Sequence, residues 1–274
     1  MTMRMRVSAV SLPIEIGEVD ANVARIRGVL ETAADGGHLI VFPELATSGY
    51  VFRDADEARS LAMRADDPRL TSLVGSVPAG AVAVVGFCEV DGERLFNSAL
   101  VIGDEGLLGL YRKAHLWAAE NDVFTPGDEA GAVFDTSVGR VGVAICYDSE
   151  FPELPRRLAL LGAEVLALPV NWPLVPRPDA EHPPETIQAM ASARSSRLAT
   201  VIADRHGAER GVEWTGGTAV ISSDGWISAT PVGGTAAAIL ELDDDKSLGA
   251  HNDLFTDRRP DLYRSITEKR GIHV

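Results

Sequence analysis

Cysteine is nearly missing from this chain: Cys88 and Cys146 are the two among 274 residues. Two thiols cannot build a disulfide framework, and they exclude a zinc site made of cysteines. Positive charge is scarce as well. Twenty-five Lys and Arg stand against 40 Asp and Glu, a formal net charge of −15 at pH 7. A surface of that sign repels nucleic acid and anionic membranes, so neither is expected as a partner. Long apolar runs are missing too, since no stretch approaches the roughly 20 residues that a membrane-spanning helix needs. Met1–Arg6 is basic, but Ser8, Ser11, Pro13 and Glu15 interrupt the segment that follows, which excludes a secretory apolar region. The expected location is the cytoplasm. His182 and His206 are isolated, and no His/Asp/Glu spacing suggests a metal site. Gly216-Gly217 and Gly233-Gly234 read as turns without the strand–GxGxxG–helix context of a nucleotide site. No cofactor is expected.

What is present is an ordinary globular composition, 46% hydrophobic and 24% charged, on a chain long enough for a sizeable core. No repeat, low-complexity tract or linker divides it. Residues 1–274 read as one domain, with 253–274 an extended C-terminal tail.

Taken in order, Arg6–Leu12 reads as a strand, and Asp20 as the cap of a helix whose stripe is Val23, Ile26 and Leu30. His38–Phe42 is a buried strand that stops at Pro43-Glu44. This strand–helix–strand order signals a parallel or mixed sheet. A helix is expected over about Asp56–Ala65. Ala81–Val90 and Leu95–Ile102 flank an Asp91-Gly92 turn, a hairpin pattern. Leu107–Tyr111 is a further strand running into Arg112-Lys113. Val133–Asp135 and Gly139–Ile145 make another strand pair, and Val165–Leu168 a strand ending at Pro169-Val170-Asn171-Trp172. The proline-rich 173–184 segment reads as a surface loop near the site. A helix from Glu185 to about Leu198 precedes strands at Thr200–Ala203, Thr218–Ser222 and Ala236–Leu240, with a turn at Asp224-Gly225.

The stretch Gly142–Leu154 carries the most chemical information. Val141, Val143 and Ile145 form a buried strand, and Cys146 follows at its carboxyl end. Pro152 and Pro155 suit a first helical turn, Leu154, Leu158 and Leu161 share a helix face, and Gly162 ends it. A thiol there faces a helix N-terminus, whose dipole favours thiolate. On this stretch alone, a nucleophile and a buried structural cysteine are both open.

Two other polar residues share that placement. Glu44 follows the His38–Phe42 strand, and Lys113 follows Leu107–Tyr111. Sites in open α/β sheets form at strand carboxyl ends, so the three side chains can converge. As a set they make chemical sense: a thiolate attacks carbon, a carboxylate moves protons, and an ammonium opposes the negative charge that develops. The Tyr147 N–H is placed to complete an oxyanion hole.

Phe42-Pro43-Glu44-Leu45, Tyr111-Arg112-Lys113-Ala114-His115-Leu116 and Ile145-Cys146-Tyr147-Asp148 follow one another in the order of a known pattern. On these motifs, with Phe151-Pro152-Glu153 after the cysteine and Asp257–Tyr263 near the end, the chain resembles the nitrilase superfamily of carbon–nitrogen hydrolases. The resemblance implies an α-β-β-α sandwich, two mixed β-sheets flanked by helices. It also implies Glu44 as general base, Lys113 as stabiliser of the tetrahedral intermediate, and Cys146 as the nucleophile of a thioester acyl-enzyme. Glu120 matches a second glutamate that positions the substrate amide in amidases, and members pair as homodimers or larger assemblies. Tyr50, Tyr147, Asn171 and Trp172 are candidates to line the substrate pocket.

Tyr147-Asp148 after the nucleophile is similar to the amidase branch, where true nitrilases commonly carry Trp-Glu. The expected activity is hydrolysis of a small aliphatic or amino-acid-derived primary carboxamide to carboxylate and ammonia. An N-carbamoyl amidohydrolase, with Arg177 or Arg194 as an anion clamp, and a nitrilase are the alternatives with the same triad. A non-catalytic binding protein on this scaffold is a further one, although such a protein has no need of all three residues.

Overall fold

The computed structural model describes residues 3–34, 36–243 and 245–268. In chain order its elements are β1 (Met3–Val10), α1 (Val19–Thr32), β2 (His38–Val41), α2 (Ala55–Leu61), α3 (Pro68–Thr71), β3 (Val82–Asp91), β4 (Arg94–Gly103), β5 (Gly106–Arg112), α4 (Glu120–Val123), β6 (Ala132–Thr136) and β7 (Gly139–Val143). There follow α5 (Glu153–Leu160), β8 (Val165–Val170), α6 (Pro184–Ser196), β9 (Ala199–Asp204), the short β10 (Ala208–Glu209) and β11 (Val212–Glu213), β12 (Ala219–Ile221), β13 (Ile227–Ala229) and β14 (Thr235–Leu242).

Two six-stranded sheets result, in the orders β14-β1-β2-β3-β4-β5 and β13-β12-β9-β8-β7-β6. Each is mixed. The centres β1-β2-β3 and β7-β8-β9 are parallel, and antiparallel strands flank them. Alternation along β2 shows how the layers form. Leu39 and Val41 join the core shared with Val141, Val143 and Val165 of the second sheet. Ile40 and Phe42 face the other way, onto Ile26 and Leu30 of α1. Period-2 patterning thus gives one sheet a partner on each face, the layered α-β-β-α sandwich expected from the resemblance.

The structure alters several local expectations. Asp20 does not cap α1: the helix begins at Val19 after Glu18, with no side-chain cap, and Asp20 lies in its first turn. The second helix stops at Leu61 rather than near Ala65. The β3–β4 register pairs Asp91 with Arg94, so the hairpin tip is Gly92-Glu93, with Gly92 at φ +61°. Of the expected tail, residues 269–274 lie outside the described residues; 253–268 contain two short 3-10 turns, Pro260–Leu262 and Arg264–Ile266, and no strand.

Candidate active site

The strands β2, β5 and β7 deliver Glu44, Lys113 and Cys146 to one place. All three are buried, with exposures of 0%, 1% and 5%. Lys113 Nζ donates to Glu44 Oε1 at 2.7 Å and to Glu120 Oε1 at 2.8 Å. Asn97, from the middle of β4, adds a donor to Glu44 Oε1 at 2.7 Å. Tyr50 Oη donates to Glu120 Oε1 at 2.7 Å, and the Trp117 N–H donates to Glu120 Oε2 at 2.8 Å. Glu44 Oε2 is buried and has no partner among the described residues, which leaves it free to take a proton.

The backbone is bent at each corner of this cluster. Leu45, Ala118 and Cys146 have φ of 48°, 45° and 48°, the left-handed region that side chains bearing a Cβ rarely adopt. Each stands at or close to a site residue, so the sheet ends hold these turns against their local preference. Gly86 on β3 serves the same corner, because a Cβ there would lie 2.3 Å from the Pro43 carbonyl oxygen and 2.7 Å from Glu44 Cα. The close approach requires glycine.

Electrostatics follow from burial. Desolvation pushes the Glu44 carboxyl up to about 7; Lys113 opposes that shift and the Glu120 charge adds to it. Burial would lower the Lys113 ammonium, but Glu44, Cys146 and Glu120 outweigh it and hold the amine well above its ordinary value. Burial also raises the Cys146 thiol, as do Glu44 and Glu120, against Lys113. This reverses the thiolate expectation. The residues after Cys146 form a 3-10 turn, Cys146–Glu150, and the α-helix begins only at Glu153, so Cys146 does not stand at an α-helix N-terminus. The resting group is a thiol, 4.0 Å from the Asn171 carbonyl oxygen.

Asp148 organises the wall beside the nucleophile. Its Oδ2 accepts from the Ile145 N–H at 3.0 Å and Tyr111 Oη at 2.7 Å; Oδ1 accepts from the His115 N–H at 3.0 Å and lies 2.8 Å from His115 Nδ1. One fully buried carboxylate thereby ties the Lys113 loop to the Cys146 turn. His115 is engaged in this scaffold and stacks on Phe151 at 4.0 Å.

The four pocket candidates all come to the site. Tyr50 meets Glu120, and burial, with the Glu120 and Glu44 charges, keeps its phenol protonated as a donor. Tyr147, Asn171 and Trp172 line a recess of about 30 Å³ with Cys146. Asn171 turns its amide to the Glu44 carbonyl at 2.8 Å, and its Oδ1 is left without a partner among the described residues. The Trp172 backbone N–H is held by Asp204 at 3.1 Å. Arg177 and Arg194 do not reach the pocket. Arg177 is exposed in the proline-rich loop, and Arg194 is exposed, 3.6 Å from Asp224.

Asn97, Asp148 and Asp204 join the site beyond the residues that the motifs identify. Asn97 carried a signal, a lone amide within the apolar run Leu95–Ile102; the other two look like any acid after a strand. Among the described residues no group of three or more His, Cys, Asp or Glu is placed to hold a metal ion.

A cysteine thiol set against a buried Glu–Lys–Glu cluster, at the strand ends of a four-layer sandwich, defines a class of thiol hydrolases. The chain belongs to the carbon–nitrogen hydrolase family, whose model matches residues 6–245, and so to the nitrilase superfamily. It is 35% identical over 270 residues to a nitrilase of Pyrococcus abyssi, covering 94% of this chain and 99% of that protein. It is 34% identical over 268 residues to an (R)-stereoselective amidase of a Pseudomonas species, covering 96% and 95%. The fold matches that of an amidase from a Nesterenkonia species, with a TM-score of 0.75 and 22% identity over 96% of this chain and 96% of the other. The protein is an enzyme acting on non-peptide carbon–nitrogen bonds.

Proposed function

We propose that the chain is a thiol amidohydrolase that converts a primary carboxamide to a carboxylate and ammonia. The observation that carries this reading is the pair of carboxylates on one ammonium: Glu44 and Glu120 both lie within 2.8 Å of Lys113 Nζ. A primary amide presents two N–H donors that need acceptors in a dry site, and a nitrile presents none. Glu120, fixed by Tyr50 and Trp117, supplies an acceptor that nitrile chemistry does not need.

In the proposed cycle Glu44 takes the Cys146 proton as sulfur attacks the carbonyl carbon. The C–S bond forms, and the C=O electron pair moves to an oxyanion opposed by Lys113. Glu44 then gives the proton to nitrogen, the C–N bond breaks, and ammonia leaves a thioester. Water attacks the thioester with Glu44 again as base; the C–S bond breaks, carboxylate departs, and sulfur recovers its proton. The raised Cys146 thiol fits a mechanism in which deprotonation accompanies attack.

N-carbamoyl amidohydrolysis remains the second reading, but the surface positions of Arg177 and Arg194 remove the anion clamp that favoured it. The test is ammonia release from a panel of amides, N-carbamoyl compounds and nitriles, with intact-mass detection of an acyl group on Cys146. Turnover of amides that vanishes in Cys146→Ala supports the proposal; nitrile turnover exceeding that of every amide overturns it. The assembly proposed is a homodimer. Leu160, Leu161, Tyr263 and Ile266 expose apolar surface along a groove beside α5, a patch of the kind that protein partners cover. Sedimentation as a monomer at micromolar concentration would remove that part.

A further inference from the structure

The catalytic cluster accounts for the bonds made and broken, and leaves open the part of the substrate that stays on sulfur. Two hollows adjoin it. The recess beside Cys146 holds about 30 Å³, far below the roughly 150 Å³ of a cavity that takes up benzene, and too little for an aryl group. The second is a chamber of about 240 Å³ that reaches Glu120 and is walled by Tyr50, Phe52, Trp117, Phe124, Pro173 and Trp214. Trp117 and Pro173 line both hollows, so the two lie side by side with that pair as their common wall.

We propose that this chamber receives the acyl group, and that the group is neutral and bulky, an arylalkyl unit such as phenylacetyl or 3-phenylpropanoyl. This rests on the amidase reading above and names its substrate class.

Size supports the assignment, because an apolar cavity of about 150 Å³ already accommodates benzene, and this one leaves room for a ring and its linker. The walls are pre-formed. Tyr50 packs edge-on against Trp214 at 5.5 Å, Phe52 against Phe124 at 6.0 Å, and Trp117 against Tyr147 at 4.9 Å. Rings held by one another keep an open aromatic slot without adjusting to the ligand.

Charge supports it as well. Glu120 is the one ionisable acid or base among the chamber's lining residues apart from the Tyr50 phenol, and it is engaged by Lys113, Tyr50 and the Trp117 N–H. The cations beside the walls are already paired: Lys113 with Glu44 and Glu120, Arg210, which donates to the Val51 carbonyl at 2.9 Å, with Glu57, and Arg205, 4.9 Å from the Trp214 ring, with Glu209 at 2.7 Å. No Lys, Arg or His lines the chamber itself, so an anionic acyl group would be desolvated there without a counter-charge at the wall. A cationic one would be drawn elsewhere, to Glu150 and Glu185 at the recess.

The test uses the full-length protein and compares kcat/KM for acetamide, phenylacetamide, 3-phenylpropanamide, succinamic acid and 4-aminobutanamide. Burying a phenyl-sized side chain corresponds to a gain of about 10- to 150-fold, so both aryl amides should exceed acetamide by at least about 10-fold. The two charged amides should fall below the aryl amides. Acetamide matching the aryl amides, or either charged amide leading the panel, overturns the proposal while leaving the amidase reading intact. No turnover of any amide, with no acyl group on Cys146, defeats both. Val212→Trp enlarges a side chain in the chamber's lining, and should lower the ratio of phenylacetamide to acetamide kcat/KM at least about tenfold. An unchanged ratio in a folded variant also overturns the assignment, and if that variant does not fold the wild-type panel decides alone.

Discussion

Replacing Lys113 by Met is the sharpest probe of the buried cluster. The side chains are similar in volume, so packing is conserved and charge is the variable. The ammonium lies 2.7 Å from Glu44 and 2.8 Å from Glu120. At an effective dielectric of about 20, each contact corresponds to about 6 kcal/mol of Coulomb energy. Protonation limits the cost, because the buried Glu44 carboxyl without its cation holds on to a proton instead of remaining charged. The net loss expected at neutral pH is therefore about 3–5 kcal/mol, the range for breaking a buried pair from one side.

The sign with pH follows directly. Glu44 already titrates near 7 in the folded protein, above its ordinary 4.5, and losing Lys113 moves it higher. A carboxyl raised on folding leaves stability intact below its unfolded value and removes it as pH rises toward the folded one. The Lys113→Met deficit should accordingly be smallest at pH 4.5 and grow with pH, most steeply above about pH 7, where Glu44 ionises in the wild type and stays protonated in the variant. Urea denaturation of both proteins at several pH values between pH 4.5 and pH 8 measures it. A deficit that is independent of pH, or largest at low pH, would refute the electrostatic account. Activity should fall at least about 100-fold at every pH, as the oxyanion loses its counter-charge.

Three further outcomes are expected. The Glu44 carboxyl, raised to about 7 by burial, must be ionised to act as base, so log kcat/KM should fall with unit slope below about pH 7 and level off above it; a profile flat down to pH 5 contradicts the assignment. Gly86→Ala should destabilise by about 1–3 kcal/mol and displace Glu44, since its Cβ would meet the Pro43-Glu44 backbone, while Gly28→Ala in α1, with open space around it, should stabilise by about 0.5–1 kcal/mol; calorimetry on both separates close approach from a general glycine effect. Asp148→Asn puts an amide donor against N–H groups that now donate to a carboxylate, and should cost about 2–3 kcal/mol together with a fall in kcat, read from melting curves and ammonia release.

The sequence by itself determined the strands, the order of the three motifs and the residue types at their ends. It did so because a half-buried or fully buried strand writes its period into the chain, as His38–Val41 and Val165–Val170 do, and because the polar residue that stops such a run is visible as Glu44, Lys113 or Cys146. It also placed Tyr50, Asn171 and Trp172 near the site by the same logic. What the chain could not announce was any property that depends on neighbours remote in sequence. Asn97 and Asp148 became site residues through contacts that span 53 and 37 positions, to Glu44 and Tyr111. The state of Cys146 is of this kind: local sequence suggests a helix terminus and a thiolate, whereas tertiary burial and two carboxylates, Glu44 after β2 and Glu120 on α4, raise the thiol. The dimensions of the acyl chamber belong to the same category. Four segments distant in sequence contribute its walls, and only their packing decides how much space is left between them.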